Sequence, residues 1–435
     1  MKNTNLGAPY STPVVILGAC NHGALGIARS VGSLGAPVYV VDDSSRNPTR
    51  FSRYCRRHYT FPIGSTARGP LVASLLRIAT EIGRRSVLIP TTDQNALFVA
   101  DNAGALSEWY ILPNLRPEVP RQLADKYSMA QVANRLGIPT PTIFRPRSRS
   151  EVIQFCDSSE FPVVMKPTGA GLKKYIVRTA DELLSRYDEI ASYEGANLIL
   201  QEYIPGDETT IWMFNGYFNA DSECLFGATG QKIRQCPVYT GSACLAVCRA
   251  NRAVYDTTVA FMKALGYCGI LDIGYRYDAR DGTYKVLDVN PRIGCSFRLF
   301  VSESGMDVAR AMYLDLTGQP VPPAQVAEGR RWVVEDCDLV SSVRYANDGV
   351  LTFSDWFRSF RGVRETAFVS IRDPLPALAV AVSDVREAVR RVGALCLPTP
   401  FRRASRDIAT VPSSPLMASH GAKDAPPATA PSRDT

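Results

Sequence analysis

The first third of the chain alternates short apolar runs with segments of helical periodicity. Residues 14–17 and 87–89 are continuous apolar runs, typical of parallel strands that helices cover on both faces. The segment 71–82 repeats its apolar residues at helical spacing, and a further helix is expected over residues 27–34. Strand, helix and strand in this order predict a doubly wound parallel sheet. We therefore expect an α/β fold that begins with a Rossmann-like domain over residues 1–120.

Polar residues and glycines collect where these predicted strands end. A glycine-rich turn at residues 18–26 follows the first strand, and residues 91–93 follow the strand at 87–89. Ligands of doubly wound sheets bind at the carboxyl ends of the strands, so the two stretches would share one rim. His22, Thr92 and Asp93 are therefore candidate substrate contacts.

The glycine-rich turn allows three interpretations. Its first two glycines, Gly18 and Gly23, are five residues apart, which departs from the G-x-G-x-x-G fingerprint of dinucleotide sites. Together with Asp42, the turn could still imitate a site for NAD. The glycines could instead allow close packing of a helix on a strand, or the helix N-terminus could hold a carboxylate or a phosphate.

A lysine and a glycine-rich loop follow an apolar strand in the second region of the chain. Lys166 ends the run 161–166, and Gly169 and Gly171 come directly after it. A lysine at the end of a buried strand needs a partner for its ammonium group. A glycine-rich loop can bring backbone N–H groups to phosphates. Lys126, at the start of a helix expected over residues 127–136, would by itself be read as a solvated lysine.

The pattern at residues 270–290 predicts a β-hairpin with a polar site on one face. Residues 270–274 and 284–290 read as strands, and the Asp281–Gly282 pair marks the turn between them. Antiparallel pairing would bring Asp272 near Asp288 on one face. Asn290 lies two residues after Asp288 and points the same way.

This polar face suggests a metal site beside a cation. Three converging oxygen ligands, from Asp272, Asp288 and Asn290, suit Mg²⁺. Arg292 would reach the same side and could stabilise developing negative charge. The alternative is an ordinary hairpin with a polar solvent face, but the apolar residues around these positions favour a functional site.

Composition narrows the class of protein. The chain has 435 residues, which fits two or three domains, and its 46% hydrophobic and 21% charged residues are typical of soluble globular proteins. The net charge is +7 without a basic helix carrying interleaved aromatics, which argues against nucleic acid as a partner. The 11 cysteines include no C-x-x-C pair and suggest reduced thiols. With no secretory signal and no apolar run near the roughly 20 residues of a membrane span, we expect a cytoplasmic protein.

In their order along the chain, these stretches resemble the ATP-grasp superfamily over roughly residues 125–294. The matching segments are residues 125–127, 162–167 with the loop 169–174, 201–204, Asp272 and 288–292. The resemblance implies a pre-ATP-grasp domain at 1–120 and a two-lobed ATP-grasp α+β domain at 121–320. A small C-terminal α+β region at 321–400 and a disordered, Pro- and Ala-rich tail at 401–435 would follow.

The resemblance also implies a role for each matching residue. Lys126 and Lys166 would contact the phosphates of ATP, and the loop with Gly169 and Gly171 would cover them. The inter-lobe hinge and the ribose site would lie at Glu202, Tyr203, Ile204 and either Asp207 or Glu208. Asp272, Asp288 and Asn290 correspond to ligands of Mg²⁺ or Mn²⁺, although the family usually has glutamates at the two aspartate positions. Arg292 would face the transferred phosphoryl group.

Within the superfamily, the chain is similar to carboxylate–amine ligases of the D-aspartate ligase type. The features are residues 16–18 with 24–26, residues 90–93 and residues 230–234. This similarity implies that a small-molecule carboxylate is activated as an acyl phosphate, which an amine then opens. Lys232 and Arg234 are candidate contacts for the acyl phosphate or the carboxylate, the alternative being a solvated basic strand.

Two further functions stay open. One keeps the fold but forms carboxyphosphate or an acid–thiol bond, and the other is a non-catalytic module that binds ATP. The C-terminal region is a candidate surface for a homodimer, and no integral membrane segment is expected.

Overall fold

The computed structural model describes residues 10–18, 21–63, 68–114, 116–167, 174–194 and 197–396. Its strands form a five-stranded, a four-stranded and a seven-stranded sheet. Gly169, Gly171 and the tail at 401–435 lie outside the described residues, so the expectations for them stay predictions.

The five-stranded sheet is parallel and has the strand order β3-β2-β1-β4-β5. Its strands are β1 (Val14–Leu17), β2 (Val38–Asp42), β3 (Cys55–Thr60), β4 (Ser86–Pro90) and β5 (Tyr110–Ile111). Its helices are α1 (Asn21–Gly32), α2 (Arg68–Ile82), α3 (Asp93–Asp101) and α4 (Ala103–Leu106). Alternate residues of β1 pack into two separate cores, Ile16 with α1 and Leu17 with α2. Helices thus cover both faces, and the predicted doubly wound sheet is confirmed.

The four-stranded sheet has the order β6-β9-β7-β8 and belongs to the smaller lobe of the second unit. Its strands are β6 (Ile143–Phe144), β7 (Val163–Pro167), β8 (Tyr175–Val177) and β9 (Leu198–Glu202). The helices along this part of the chain are α5 (Glu118–Ala124), α6 (Lys126–Arg135), α7 (Arg149–Ser158) and α8 (Ala180–Glu194). β7 pairs with β9 in antiparallel register, and Lys166 lies opposite Ile199.

The seven-stranded sheet has the order β14-β13-β10-β11-β12-β15-β16. Its strands are β10 (Ile211–Phe218), β11 (Cys224–Cys236), β12 (Ser242–Cys248), β13 (Gly269–Asp278), β14 (Thr283–Asn290), β15 (Arg331–Val333) and β16 (Val363–Thr366). The helices are α9 (Arg252–Leu265), α10 (Val308–Leu316), α11 (Glu335–Asn347), α12 (Phe353–Ser359) and α13 (Leu375–Cys396). The C-terminal region therefore extends this sheet through β15 and β16.

The N-terminal unit packs closely on the segment that follows β14. A Cβ atom at Gly26 of α1 would lie 2.9 Å from side-chain atoms of Phe297 and Arg298, so only glycine allows this approach. One hydrophobic core includes residues of α1, the seven-stranded sheet and α10. The close-packing interpretation of the glycine-rich turn therefore has direct structural support at Gly26.

A buried ion pair ties the C-terminal segment to the N-terminal unit. Arg29 of α1 donates from Nε to Asp373 Oδ2 at 3.0 Å, and it also donates to the carbonyl oxygens of Ala367 and Phe368. Asp373 accepts in addition from the Ser52 hydroxyl at 2.8 Å.

Within the described parts of the chain, no helix combines the length and the apolar character needed to cross a bilayer.

Replacing Asp373 by alanine should lower the free energy of unfolding by about 3 kcal/mol, because Arg29 would stay buried without its counter-charge. Denaturant unfolding followed by circular dichroism measures this. Asp256→Ala is the matched control: Asp256 pairs with Arg252 on an exposed helix face, and its loss should cost less than about 0.5 kcal/mol. Equal losses in both variants would contradict the role of the Asp373 pair.

Candidate active site

The hairpin of β13 and β14 presents its polar residues on one face, as predicted. Asp272 lies opposite Asn290, and Gly274 lies opposite Asp288. Because side chains two residues apart on a strand point the same way, Asp272, Asp288 and Asn290 share a face. The Asp281–Gly282 turn joins the two strands, and Gly282 has a φ of 73°, which suits glycine.

Asp272 is held at the centre of this face by amide groups. Its carboxylate accepts from Asn215 Nδ2 at 3.0 Å and from Asn290 Nδ2 at 3.1 Å. A Cβ atom at Gly294 would lie 2.5 Å from Asp272 Cγ, so a glycine at this position leaves room for the carboxylate. Burial raises the pKa of Asp272, while Arg292, whose Nη1 lies 3.6 Å from Oδ2, acts in the opposite direction.

Asp288 lies within a group of four lysines. Lys126 Nζ is 3.6 Å from Asp288 Oδ2, and Lys174, Lys166 and Lys232 are close enough to act on the same carboxylate. Burial alone would raise the pKa of Asp288. The four ammonium groups outweigh burial and hold that pKa well below its usual range.

The lysines also affect one another. Burial, together with the charges of Lys126 and Lys174, lowers the pKa of Lys166 to about 7. Lys166 Nζ donates to Gln201 Oε1 at 2.6 Å. Burial also lowers the pKa of Lys232, whose Nζ donates to the Gly241 carbonyl at 3.0 Å. Four cations around two carboxylates leave an excess of positive charge, which attracts a polyanion.

Arg292 connects this site with the rim of the parallel sheet. Its Nε donates to Asp93 Oδ1 at 2.9 Å, and its Nη1 donates to the Ile293 carbonyl at 3.0 Å. Of the three candidate substrate contacts, Asp93 is therefore the one that contacts Arg292. Thr92 instead caps α3 by accepting from Asn95 N at 3.1 Å.

His22 occupies an aromatic environment instead of a charged one. Its ring centroid lies 5.2 Å from that of Trp332 and 6.0 Å from that of Phe368. Burial lowers the pKa of His22 to about 4, so the imidazole is neutral near pH 7. This gives His22 a packing role between α1 and the C-terminal region, which differs from the expected substrate contact.

Arg234 also differs from expectation. Its Nε and Nη2 donate to the two oxygens of Asp338 at 2.7 and 2.9 Å, and its Nη1 donates to the Ser359 hydroxyl at 2.8 Å. The side chain is only 4% exposed. A guanidinium satisfied in this way anchors α11 and α12 to β11, so the expectation that Arg234 contacts the substrate is corrected.

The hinge expected at residues 202–204 is braced by charges. Glu202 accepts from Thr142 N at 3.0 Å and pairs with Arg280, while Lys285 Nζ lies 3.5 Å from the same carboxylate. The side chain of Ile204 is buried. The Glu202 carboxylate thus connects the end of β9 with Thr142 and with the hairpin of β13 and β14.

The two candidates for the ribose contact are placed differently. Asp207 Oδ1 accepts from the backbone and hydroxyl of Thr209, at 2.9 and 2.5 Å, and so caps a 3₁₀ turn over Glu208–Thr210. Glu208 accepts from the Tyr345 hydroxyl at 3.2 Å. Neither contact distinguishes between the two, and the choice stays open.

Asn215 is the residue of this face that the sequence did not indicate, whereas Gln201 and Lys174 lie in the segments 201–204 and 169–174 that carry the resemblance. Asn215 is fully buried, and among the described residues its Oδ1 has no hydrogen-bond partner. An asparagine inside the apolar strand Ile211–Phe218 was a signal that could have revealed it.

The carboxylates of this face can hold a hard cation such as Mg²⁺ only together with neighbouring amide oxygens. The described residues contain no group of three or more His, Cys, Asp or Glu side chains arranged for a metal. Asp272 and Asp288 supply two carboxylates, and the amide oxygens of Asn290 and Asn215 lie on the same face. Oxygen donors of this kind are those that Mg²⁺ and Mn²⁺ take, with phosphate oxygens and water completing the shell.

Comparison with known proteins agrees with this geometry. The ATP-grasp domain family matches residues 123–296. The D-aspartate ligase of Enterococcus faecium is 27% identical over 311 residues, which cover 66% of this chain and 72% of that protein.

Solved structures share the fold at low sequence identity. An L-amino acid ligase from Bacillus licheniformis superposes with a TM-score of 0.57 at 16% identity, covering 72% of this chain and 78% of that one. The N5-carboxyaminoimidazole synthetase from Staphylococcus aureus, complexed with ADP, superposes with a TM-score of 0.59 at 13% identity, covering 74% and 81%. At these identities the likeness concerns the fold alone. Together with the domain match, it shows an ATP-grasp domain at residues 123–296, and the group of four lysines around Asp288 lies within that domain.

Proposed function

We propose that this chain is an ATP-dependent ligase, assisted by Mg²⁺ or Mn²⁺, that joins a small-molecule carboxylate to an amine. The observation that carries the proposal is the group of four lysines around Asp288, next to Asp272 and Asn290 on one hairpin face. Such a site suits a triphosphate and its cation. The similarity to D-aspartate ligase over two-thirds of the chain supports the choice of substrates. A cytoplasmic location and a homodimer stay predictions.

The proposed reaction needs positioning and charge neutralisation more than covalent help from the protein. Lys126, Lys166 and Lys174 would neutralise the phosphates. Asp272, Asp288 and Asn290 would hold the cation, which supplies further neutralisation when bound. The main chain of Tyr203 and Ile204 would contact the adenine, and Asp207 or Glu208 the ribose.

Two group transfers follow. An oxygen of the substrate carboxylate attacks the γ-phosphorus, the bond to the bridging oxygen breaks, and ADP leaves. Arg292 and Lys232 would stabilise the negative charge on the transferred phosphoryl group and on the acyl phosphate. The amine nitrogen then attacks the acyl carbon, inorganic phosphate leaves with the C–O electron pair, and the nitrogen loses a proton to give the amide.

The direct test is ADP release with carboxylate and amine panels, including D-aspartate, D-alanine and L-amino acids. Bicarbonate and coenzyme A serve as arms for the carboxyphosphate and acid–thiol alternatives. We expect release that requires both a carboxylate and an amine. Asp288→Ala should reduce kcat/KM at least 100-fold, because it removes a cation ligand and the counter-charge of the lysines.

Asp281→Ala is the matched control, since Asp281 lies in the turn of the same hairpin and is 46% exposed. It should keep near-wild-type turnover. ATP binding without turnover in every panel would reject the ligase function and favour a non-catalytic module, whereas turnover with bicarbonate alone would favour carboxyphosphate chemistry.

Nucleotide binding should take up protons at alkaline pH. The pKa of Lys166 is about 7 in the free protein, and a bound phosphate would raise it by favouring the ammonium form. Lys166 should therefore contribute close to one proton per nucleotide at pH 8 but only about a tenth at pH 6. Calorimetry in buffers of different ionisation enthalpy measures this uptake.

Lys166→Arg is the control for this measurement, because arginine is already protonated in the free protein. It should bind nucleotide while losing the Lys166 share of the uptake. An uptake at pH 8 equal in the wild type and in Lys166→Arg would contradict the lowered pKa.

Asn215 should matter for the cation more than for the nucleotide. Replacing it by alanine removes a donor to Asp272 and an unpartnered buried amide oxygen, so Mn²⁺ affinity in the presence of ADP should fall roughly 10- to 100-fold. Titration of Mn²⁺ followed by electron paramagnetic resonance measures this. Asn219→Ala, in the turn after β10, is the control and should leave Mn²⁺ affinity unchanged. If Asn215→Ala bound Mn²⁺ as tightly as the wild type, Asn215 would have no role in the cation site.

A further inference from the structure

A second cavity lies between the seven-stranded sheet and α12. It has a volume of about 410 Å³ and is lined by the turn at Glu208 and Thr209, by parts of β11, β12 and β15, and by α12. Sites for small molecules commonly have volumes of about 300–1,000 Å³. The cavity is therefore large enough for a metabolite.

The arginines of this cavity lie on the face of the sheet opposite to Asp272, although Lys232 of the lysine cluster and Glu208 also line the cavity. Asn215 faces Asp272, so Trp212, three residues earlier on the same strand, points to the other face. Gln231 lies opposite Trp212 and shares that other face. Gln231 also accepts from Arg249 Nη1 at 2.7 Å, which places Arg249 on the same side.

Two guanidinium groups line the cavity without a carboxylate partner. Arg249 donates to Gln231, and Arg331 Nη1 donates to the Ser359 carbonyl at 2.6 Å. Among the described residues, no carboxylate lies within ion-pair distance of either. Their neighbour Arg234 differs, because both oxygens of Asp338 satisfy it.

The surroundings concentrate positive charge at these two side chains. Burial and the nearby charges of Arg234 and Arg249 lower the pKa of Arg331, so its cationic form lacks compensation. Two further cations line the cavity, Arg358 and Lys232. Arg358 pairs with Asp355 at 3.3 Å and is 76% exposed, and Lys232 donates to the Gly241 carbonyl. A partly buried guanidinium gains most from an anion that accepts two of its N–H groups, such as a phosphate or a carboxylate.

We propose that this cavity binds a small anionic metabolite through its phosphate or carboxylate groups, held by Arg249 and Arg331. The cavity adjoins the lysine cluster, because Lys232 also lines it, but Arg249 and Arg331 have no part in the proposed ligase reaction, so the proposal does not rest on that reaction. Gln231 links it to the hinge region, since Gln231 Nε2 donates to the Thr209 carbonyl at 2.7 Å, next to Glu208.

Isothermal calorimetry tests the proposal. Inorganic phosphate and succinate are titrated separately onto protein already saturated with MgADP, so that the nucleotide occupies the proposed ATP site. We expect saturable binding of phosphate or succinate by the wild type. Which of the two binds shows whether the cavity recognises phosphates or carboxylates. The double variant Arg249→Gln/Arg331→Gln should lose at least 10-fold in affinity, because both guanidinium contacts are removed.

Arg361→Gln is the control variant, because Arg361 is exposed and does not line the cavity. The substitution removes one positive charge, as Arg249→Gln alone does. It should bind the anion as the wild type does. If the double variant folds poorly, Arg249→Gln alone replaces it, because Arg249 is exposed, and a loss of at least three-fold is expected.

Three outcomes would overturn the proposal. One is equal affinity of the arginine variants and the wild type. Another is binding that disappears when MgADP is present, which would place the anion in the lysine cluster. The third is the absence of saturable binding by the wild type of both phosphate and succinate up to about 10 mM, roughly the weak limit for a metabolite site.

Discussion

The charge balance around Asp288 is the constraint on which the site depends. Four ammonium groups repel one another there, and burial adds to the cost for Lys166 and Lys232 because each loses hydrating water. Asp288 offsets part of this repulsion, and its pKa falls in return. A polyanion that enters the site relieves a repulsion that folding has already imposed, so its binding requires little rearrangement of charge.

Both sheets are needed to maintain this balance. Lys126 begins α6, Lys166 belongs to β7 and Lys174 precedes β8, whereas Lys232 and Asp288 belong to the seven-stranded sheet. In an unfolded chain the ammonium groups would move apart, because like charges repel. The solvent would also screen their attraction to Asp288. The cluster therefore exists only when the four-stranded sheet faces the hairpin, and the lobes and the site are one structural requirement.

The site was predictable from the sequence where its signals are local. The Asp281–Gly282 turn and the alternation along β14 marked the hairpin before any tertiary contact was known. Asn215 and Arg234 depend on distant partners instead: Asp272 lies 57 residues from Asn215, and Asp338 lies 104 residues from Arg234. The apolar pattern did not indicate α11, which carries Asp338, so a buried ion pair was read as a substrate contact.

The pair of Arg292 and Asp93 explains why an ATP-grasp unit would need the parallel sheet. Asp93 begins α3 at the carboxyl end of β4, where ligands of such sheets bind, and it fixes the guanidinium through Nε. The same arginine lies beside Asp272 on the hairpin. In the proposed reaction, a carboxylate at this rim and a phosphoryl group at the hairpin would both contact the guanidinium of Arg292. The orientation of Arg292 thus depends on the docking of the two units, and any change that separates α1 from the segment after β14 should misplace it.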